Sequence, residues 1–347
     1  MNKVLIIAEA GVNHNGSLKN AKVLIDVAAD AGVDYVKFQT FKADALVSKE
    51  AKKADYQTQN LSDADVSQYQ MLKSLELSED DHNQLIEYAT SKGIKFFSTA
   101  FDVDSLEYLN DLGFEIFKVP SGEITNYPYL KKLASFGKPV ILSTGMSNME
   151  EIEQAIEVLM SENLIIDDII VLHCNTEYPT PMEDVNLKAM SSIADAFNVK
   201  VGYSDHTLGI EVPIAAVALG ACVIEKHFTL DREMKGPDHK ASLEPLELKQ
   251  MVDAIRNIER ALSGDGLKNP SKSEEKNKVV ARKSIHLRRD LPKNHIIVES
   301  DLIPLRPGNG VSPMKFQSII GAKTLTNLKQ NQMLELKDID IISPNEK

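Results

Sequence analysis

The sequence predicts a (β/α)8 TIM barrel followed by a small, mostly β domain. Eight short, β-prone apolar runs recur up to residue 228, and amphipathic stretches with helical spacing separate them. From about residue 279 the pattern changes to short alternating runs with turns between them. A doubly wound open sheet is the alternative fold. Its first strand is usually followed by a GxGxxG turn, and EAGVNHNG (9–16) lacks that spacing.

The eight predicted strands share an apolar body and a polar C-terminal end. They are VLIIAEAG (4–11), YVKFQT (35–40), FFSTAF (96–101), IFKVPS (116–121), PVILSTG (139–145), IIVLHCN (169–175), KVGYSDH (200–206) and CVIEKHF (222–228). Apolar residues at helical spacing predict helices over 18–31 and 150–160. We expect the last barrel helix over 245–262.

Two segments depart from the regular alternation. The stretch 41–77, between the second and third strands, is long and polar, and we expect it to form a lid or substrate loop above the barrel. The segment SGDGLKNPSKSEEKNK (263–278) has the composition of a linker. The sequence therefore predicts a catalytic barrel over 1–262, a linker over 263–278 and a C-terminal domain over 279–347.

Composition excludes several classes of function. The formal net charge of -12 argues against nucleic acid or an anionic membrane as a partner. No apolar run reaches the roughly 18 residues that a membrane span requires. The two cysteines, Cys174 and Cys222, lie in apolar runs without a CxxC motif, and we expect buried free thiols and a cytoplasmic location.

The polar ends of the strands predict where the chemistry takes place, since active sites of (β/α)8 barrels lie at the C-terminal ends of their strands. Each predicted strand contributes there. The candidates are Glu9, Asn13 and His14; Lys37 and Gln39; Ser98 and Thr99; Lys118, Ser121 and Glu123; Ser143 and Thr144; His173, Asn175, Glu177 and Tyr178; Ser204, Asp205 and His206; and Glu225 and His227.

Two histidines end the seventh and eighth strands, which are neighbours in such a barrel. Alternation places Glu225 and His227 on one strand face and Ser204 and His206 on another. Two imidazoles at neighbouring tips predict a divalent-metal site, with further oxygen ligands from water, substrate or a carboxylate such as Glu225. Mn²⁺, Mg²⁺, Co²⁺ and Zn²⁺ all fit that ligand set. Two hydrogen-bonded core histidines are the alternative.

Two lysines lie inside apolar strands. Lys37 and Lys118, with the neighbouring Ser and Thr hydroxyls, predict a cradle for phosphate or carboxylate. The alternative is that each lysine extends to solvent. A nucleoside triphosphate is disfavoured because the chain has no P-loop. An amidohydrolase-type metal barrel is disfavoured because the first strand has no HxH motif.

Long motifs give the chain a specific resemblance. They are AEAGVNHNGS (8–17), VKFQTFKA (36–43), FSTAFD (97–102), KVPSGEITNYPYL (118–130), ILSTGM (141–146), LHCNTEYPTP (172–181), GYSDHT (202–207), IEKHFTLD (224–231), GPDHKASLEP (236–245) and RPGNG (306–310). On these motifs the chain resembles the sialic acid synthase family, the nonulosonate synthases, over nearly its whole length. The C-terminal segment resembles the antifreeze-like (SAF) domain of that family.

The resemblance implies a reaction. Members condense phosphoenolpyruvate with an open-chain N-acetylated aldehyde, either N-acetylmannosamine or 2,4-diacetamido-2,4,6-trideoxymannose. Water adds, phosphate leaves by C–O cleavage, and the product is a nine-carbon acid such as N-acetylneuraminate or N,N'-diacetyllegionaminate. The motif sequences are most similar to those of the bacterial members that make these two products.

The resemblance also implies roles for single residues. His206 and His227 would bind the metal, most often Mn²⁺, with Mg²⁺ or Co²⁺ possible. The phosphoenolpyruvate end would be held by Lys37, Thr99, Lys118, Ser121, Ser143 and Ser204. Gln39, Glu123, Tyr178 and Asp238 would line the sugar or reacting end. Catalytic roles are expected for Glu9, Lys37, Glu123 and Asp238, with Glu9 a candidate acid or base. Arg306 would reach the sugar's N-acyl group from the partner subunit of a domain-swapped homodimer.

Departures from the family pattern leave the sugar open. Some relatives have Asn-Ile-Tyr where this chain has Thr176, Glu177 and Tyr178, and an Asn near Asp63. One alternative is a 3-deoxy-ulosonate synthase that uses a phosphorylated sugar. It would need an Arg-rich second phosphate pocket, and the barrel motifs contain no Arg. Another is a non-catalytic carbohydrate-binding or surface-polysaccharide assembly protein, which the polar residues at all eight strand ends disfavour.

Overall fold

A computed structural model describes residues 3–54, 57–58 and 67–341. It divides the chain into two compact units, Met1–Gly264 and Asp265–Lys347. Part of the predicted lid, including Asp63, lies outside the described residues. Within the described ranges, no helix combines the length and apolar character needed to cross a membrane.

The first unit is an eight-stranded parallel barrel. Its strands are β1 (Leu5–Gly11), β2 (Tyr35–Thr40), β3 (Lys95–Ala100), β4 (Phe117–Val119), β5 (Val140–Ser143), β6 (Ile169–Cys174), β7 (Lys200–Asp205) and β8 (Val223–His227). They hydrogen-bond in the order β3-β2-β1-β8-β7-β6-β5-β4, every pair parallel. The two end strands of that order, β3 and β4, also contact each other. The predicted (β/α)8 barrel is confirmed, and each predicted strand forms within two residues of its expected bounds.

Helices alternate with these strands. Those of the first unit are α1 (Leu18–Ala31), α2 (Ala43–Leu46), α3 (Gln68–Leu75), α4 (Glu79–Ser91), α5 (Val103–Asp111), α6 (Tyr127–Ala134), α7 (Met149–Met160), α8 (Lys188–Phe197), α9 (Glu211–Ala218) and α10 (Pro245–Ala261). Short polar residues begin several of them. Ser17, Ser78, Asp102 and Asn148 each accept a backbone N–H of the first turn, which satisfies a donor that the helix itself leaves free.

The barrel interior has an apolar lower layer and a polar upper layer. Ile7, Phe97, Ile141, Leu172 and Val223 form one buried cluster. Because side chains on one strand face recur every second residue, the next inward positions along these strands are Glu9, Thr99, Ser143, Cys174 and Glu225. Fully burying an apolar side chain of this kind stabilises the fold by roughly 1.5–3 kcal/mol. The lower layer therefore supports a polar floor directly above it.

A buried ion pair joins the ends of β7 and β8 on their outer side. Lys226 donates to the Asp205 carboxylate and, at 2.7 Å, to the backbone oxygen of Thr207. The Lys226 and Asp205 side chains are both 0% exposed. Asp205 also accepts the backbone N–H of Thr207 at 3.0 Å. Since His206 and His227 each directly follow a member of this pair, the pair fixes the two strand tips that carry the histidines.

The seam between β3 and β4 is bridged by a tyrosine of α6. The Tyr129 hydroxyl lies 2.8 Å from the backbone oxygen of Ala100 and 3.4 Å from that of Lys118. Burial raises the pKa of Tyr129 well above its usual range, so the hydroxyl keeps its proton and remains a donor. One side chain therefore bonds to a strand on each side of the seam.

The second unit is small and mostly β, as predicted. Strands β9 (Ser284–Leu287) and β10 (Leu302–Leu305) pair antiparallel, as do β11 (Lys323–Thr324) and β12 (Ile339–Asp340). Two short helices accompany them, α11 (Glu275–Ala281) and α12 (Phe316–Ile319). The unit has its own apolar core, formed by Ile285, Leu287, Leu291, Ile297, Leu302, Val311, Ile319, Ala322, Leu328, Leu334 and Ile339. Helix α11 begins inside the segment 263–278 that the sequence predicts as a linker.

We expect the Tyr129→Phe variant to lose about 1 kcal/mol of unfolding free energy, because the substitution removes the hydrogen bond and leaves a buried carbonyl without its donor. Urea denaturation of the wild type and variant measures the difference. Tyr127→Phe is the matched control, since Tyr127 lies on the same helix and is 55% exposed. Equal losses for the two variants would contradict the role given to Tyr129.

Candidate active site

A cavity of about 610 Å³ opens at the C-terminal ends of the barrel strands. Thirteen of the fourteen residues to which the family resemblance assigns a role line it together. They are Glu9, Lys37, Gln39, Thr99, Lys118, Ser121, Glu123, Ser143, Tyr178, Ser204, His206, His227 and Asp238. The fourteenth, Arg306, belongs to the second unit, where it is exposed and its Nε donates to the backbone oxygen of Ala281 at 3.0 Å.

Glu225 is the centre of the cavity floor. Its carboxylate accepts Lys118 Nζ at 2.9 and 3.1 Å. Lys37 Nζ lies 3.2 Å from the same carboxylate, and Ser204 Oγ donates to it at 3.1 Å. The sequence offers Glu225 only as a possible metal ligand. In the structure, the Glu225 oxygens are engaged by two ammonium groups and a hydroxyl.

Charge governs the protonation of this cluster. Burial would raise the pKa of Glu225, but Lys118 and Lys37 outweigh it and hold that pKa far below its usual range. Burial also opposes the charge of Lys37, yet Glu225 and Glu9 raise the pKa of Lys37 above normal. For Lys118, burial dominates and lowers the pKa. Glu225 is therefore ionised and keeps Lys37 charged.

Glu9 and Asp238 differ from Glu225. Burial raises the pKa of Glu9 to about 7 despite Lys37, whose Nζ lies 3.2 Å from Glu9 Oε2. Gln39 donates to the other oxygen of Glu9 at 3.1 Å. Burial and then the Glu9 carboxylate raise the pKa of Asp238 to about 7. Both groups are thus able to hold or release a proton near neutral pH.

Hydroxyl groups complete the floor. Thr99 accepts Lys37 Nζ at 2.8 Å, whereas the buried Ser143 hydroxyl has no hydrogen-bond partner among the described residues. Ser121 Oγ accepts the backbone N–H of Gly145 at 2.9 Å. A Cβ at Gly145 would lie 2.8 Å from that oxygen, so only glycine allows this approach. The Ser143 hydroxyl is available to a ligand.

The two histidines lie beside each other, and the ring of Tyr178 contacts both of them. Their ring centroids are 5.4 Å apart, and Tyr178 stacks on His206 at 4.0 Å. His206 Nδ1 pairs with the backbone oxygen of Asn175, while the buried His227 Nδ1 has no hydrogen-bond partner in the described residues. Burial lowers the pKa of His206 to about 4 and that of His227 well below its usual range.

These features fit a divalent metal held by two imidazoles. Metal ligation requires neutral imidazole, which the lowered pKa values favour, and the second nitrogen of a ligating histidine usually bonds a carbonyl, as in His206. Within the described ranges, no group of three or more His, Cys, Asp or Glu side chains is arranged to hold a metal. The remaining ligands would therefore come from water and substrate.

Glu123 lies higher, in the loop after β4. It is partly buried and accepts Asn126 Nδ2 at 2.6 Å. Burial raises its pKa, although the Asn126 bond opposes this. Glu177, after β6, also lines the cavity. The rim that follows β4 and β6 thus carries carboxylates.

One side of the cavity is apolar, which the sequence does not predict. We call it the apolar wall, and it consists of Phe41, Leu46, Val47, Met71, Leu72 and Leu75. These residues belong to the stretch 41–77, which the sequence describes as polar. The apolar side chains of α3 recur at helical spacing within that polar composition, and this period was the available signal.

Two family models match the chain. The NeuB family matches residues 24–268, and the SAF domain matches residues 282–340. Together they cover most of each unit.

Curated relatives and solved structures agree with these models. The chain is 54% identical to the N,N'-diacetyllegionaminic acid synthase of Campylobacter jejuni over 334 residues, 96% of this chain and 99% of that relative. It is 51% identical to the enzyme of the same name from Legionella pneumophila, over 96% and 94% of the two chains. The crystal structure of N-acetylneuraminic acid synthetase from Leptospira borgpetersenii, in complex with citrate, matches with a TM-score of 0.69 and 36% identity. That match covers 80% of this chain and 90% of the other.

Replacing the central carboxylate should destabilise the barrel. We expect Glu225→Gln to lower the unfolding free energy by about 3 kcal/mol, because it leaves two buried ammonium groups with too little negative charge. Urea denaturation measures the loss.

Two further variants make this test specific. Adding Lys118→Met to Glu225→Gln removes one of the unpaired cations and should restore part of the loss. Asp253→Asn removes the carboxylate of an exposed pair with Lys249 and should change stability by less than about 1 kcal/mol. If the loss of unfolding free energy in the double variant equals the sum of the losses in Glu225→Gln and Lys118→Met alone, the central role of Glu225 is wrong.

Proposed function

The chain belongs to the NeuB family and carries a SAF domain, and from this premise we propose that it is a synthase that joins phosphoenolpyruvate to an amino-sugar aldehyde. The aldehyde is an open-chain N-acetylated sugar of the mannosamine type. The products are a nine-carbon nonulosonic acid and phosphate. Two relatives that are more than half identical to this chain are named as N,N'-diacetyllegionaminic acid synthases.

The observation that supports this proposal is the arrangement of the cavity floor. Lys37 and Lys118 face one ionised carboxylate, Glu225, and Glu9, whose pKa of about 7 leaves it partly protonated, so the floor carries a net positive charge whenever Glu9 holds its proton. The Ser143 hydroxyl has no partner in the described part of the chain. A small, strongly anionic substrate such as phosphoenolpyruvate suits this floor. The histidine pair lines the same cavity and provides a second, chemically different place for the aldehyde.

We propose 2,4-diacetamido-2,4,6-trideoxymannose as the aldehyde and N,N'-diacetyllegionaminate as the product. The names of the two bacterial relatives support this choice. N-acetylmannosamine is the second candidate, because the structurally similar Leptospira protein is named for N-acetylneuraminic acid.

The family resemblance implies the order of the steps, and the positions of these groups are consistent with it. C3 of phosphoenolpyruvate forms a bond to the aldehyde carbon, and the aldehyde oxygen takes a proton. Positive charge that develops at C2 is met by water, which loses a proton as it adds. The tetrahedral adduct then breaks the bond between C2 and the phosphate oxygen, its C2 hydroxyl proton passes to the departing phosphate, and C2 becomes a ketone. Holding both substrates in one cavity supplies the proximity that a bimolecular reaction in water lacks.

In each cycle the site gives one proton to the aldehyde oxygen and recovers one from the attacking water. Glu9 and Asp238 both have a pKa of about 7, so a proton shared by them is able to leave to the alkoxide and return from the attacking water. Gln39 and Lys37 orient Glu9 through its two oxygens. We therefore place proton transfer at Glu9 with Asp238, and leave Glu123 to the sugar at the rim.

We also propose a divalent cation, most often Mn²⁺, at His206 and His227. Bound there, it supplies Lewis-acid polarisation of a carbonyl oxygen. The neutral imidazoles and the unpartnered His227 nitrogen support this proposal.

Three further features belong to the same proposal. The enzyme acts as a domain-swapped homodimer in which Arg306 of the SAF domain recognises the N-acyl group, as the family resemblance implies. The exposed guanidinium of Arg306 is consistent with that role. We place the enzyme in the cytoplasm, and the free thiols of Cys174 and Cys222 support this location. Finally, no arginine is found among the described residues that line the cavity, so nothing there favours a phosphorylated sugar.

The purified protein should release phosphate from phosphoenolpyruvate only when an amino-sugar aldehyde is present. We expect faster release with 2,4-diacetamido-2,4,6-trideoxymannose than with N-acetylmannosamine. Phosphoenolpyruvate labelled with ¹⁸O at its bridging oxygen should transfer the label to phosphate. Unlabelled phosphate would exclude C–O cleavage, and no release with either sugar would exclude the proposed reaction.

Removing either metal-binding imidazole should abolish cation binding. We expect the wild-type protein, after treatment with EDTA, to bind one Mn²⁺ per chain by titration followed with electron paramagnetic resonance. The His206→Ala and His227→Ala variants should lose this binding. His295→Ala is the control, because His295 belongs to the second unit and bonds to Asp301. Wild-type affinity in the His227→Ala protein would refute the assignment.

A further inference from the structure

The apolar wall gives one side of the cavity a chemical character that the rest of the site lacks. Phe41, Met71 and Leu75 are buried and pack together with Val12. Leu46, Val47 and Leu72 also line the cavity and are partly exposed, so this part of the wall lies nearer to solvent. The polar residues that the same segment contributes to the cavity lining are two neutral amides, Gln57 and Gln68. No charged side chain of the described part of this segment lines the cavity.

Hydrogen bonds outside the cavity hold the wall in place. Tyr69 Oη of α3 donates to Asp44 of α2 at 2.8 Å, and Glu76 accepts the backbone N–H of Ala43 at 2.6 Å. Lys73 lies 3.1 Å from Glu76 and 3.4 Å from Asp44. These contacts tie α2 to α3 on the side away from the cavity. The wall is therefore a formed surface that a ligand meets without first having to order it.

The position of the reacting carbon decides which end of the sugar meets the wall. The aldehyde carbon must reach phosphoenolpyruvate at the floor, next to the histidine pair. The opposite end of the six-carbon chain, C6, then points away from the floor toward the opening. There the lining offers the apolar wall or the carboxylates Glu123 and Glu177. An apolar group meets the wall favourably, whereas contact with a carboxylate would strip water from the charge.

We propose that the apolar wall is the specificity determinant for a 6-deoxy sugar and that it receives the C6 methyl group. This inference rests on the proposed function. A methyl group loses its contact with water on the wall at no polar cost. A C6 hydroxyl in the same place gives up its hydrogen bonds to water and finds no partner among these apolar side chains. The wall thus explains, from this chain's own residues, why a 6-deoxy substrate is preferred to a 6-hydroxy one.

A matched pair of substrates tests the proposal. They are 2,4-diacetamido-2,4,6-trideoxymannose and 2,4-diacetamido-2,4-dideoxymannose, which differ only in the C6 hydroxyl. We expect wild-type kcat/KM to favour the 6-deoxy sugar by roughly tenfold to a hundredfold, the range in which apolar pockets reject an added hydroxyl. The KM for phosphoenolpyruvate should be the same with both.

Polar replacements in the wall should remove this preference. We expect Leu72→Asn on α3 and Leu46→Asn on α2 each to reduce the 6-deoxy to 6-hydroxy ratio of kcat/KM roughly tenfold. Leu219→Asn is the control, because Leu219 is 52% exposed and precedes β8 at the other end of the barrel. Its ratio should equal that of the wild type. If Leu72→Asn melts at a much lower temperature than the wild type, Leu72→Ala should still reduce the ratio.

The outcomes separate this inference from the function on which it rests. Phosphate release with an unchanged ratio in the Leu72 and Leu46 variants would overturn the role of the wall and leave the synthase proposal standing. Absence of phosphate release from the wild type with every sugar would overturn both. A ratio near one in the wild type would also refute the wall as a determinant of specificity.

Discussion

The site depends on one buried carboxylate. Glu225 is 4% exposed and lies at the end of β8, where it bonds to Lys118 of β4, approaches Lys37 of β2 and accepts Ser204 of β7. Without a nearby carboxylate, two ammonium groups in a barrel interior would lose their hydration, and burial would lower their pKa values and favour the neutral amines. Glu225 offsets part of the positive charge that Lys37 and Lys118 place at the centre of an acidic protein. Burial raises the pKa of Glu9 to about 7, so this carboxyl group, unlike that of Glu225, is able to exchange a proton near neutral pH.

The order of the layers explains how the floor is built without weakening the barrel. Ile7, Phe97, Ile141, Leu172 and Val223 fill the interior below it. The polar groups follow two residues later along the same strands. On the outer side, Lys226 and Asp205 join the tips of β7 and β8 and so place the two histidines. The apolar layer thus fills the interior, the outer ion pair places the two strand tips, and the inner polar layer forms the site.

Most of the fold and much of the site follow from the sequence. The eight apolar runs predicted the strands because a buried parallel strand is apolar on both faces. The positions of Lys37, Thr99, Ser204, His206 and His227 near the C-terminal ends of the strands predicted one end of the barrel for all five. Period-two alternation predicted which strand face each lies on. The partner of Lys37 and Lys118 was not predictable, because the pairing of three inward side chains depends on barrel closure. The apolar wall was missed because a polar composition hid the helical period of α3. The wall, the roles of the site residues and the metal remain proposals.

The seam between β3 and β4 has a mechanical consequence. Lys37 and Thr99 lie on one side of it and Lys118 on the other, so any change in the width of the seam changes the spacing of the two ammonium groups. Tyr129 bonds to both sides from α6, and Glu225 draws the two lysines together from across the barrel. The width of this seam therefore sets the distance between the two cations that line the floor.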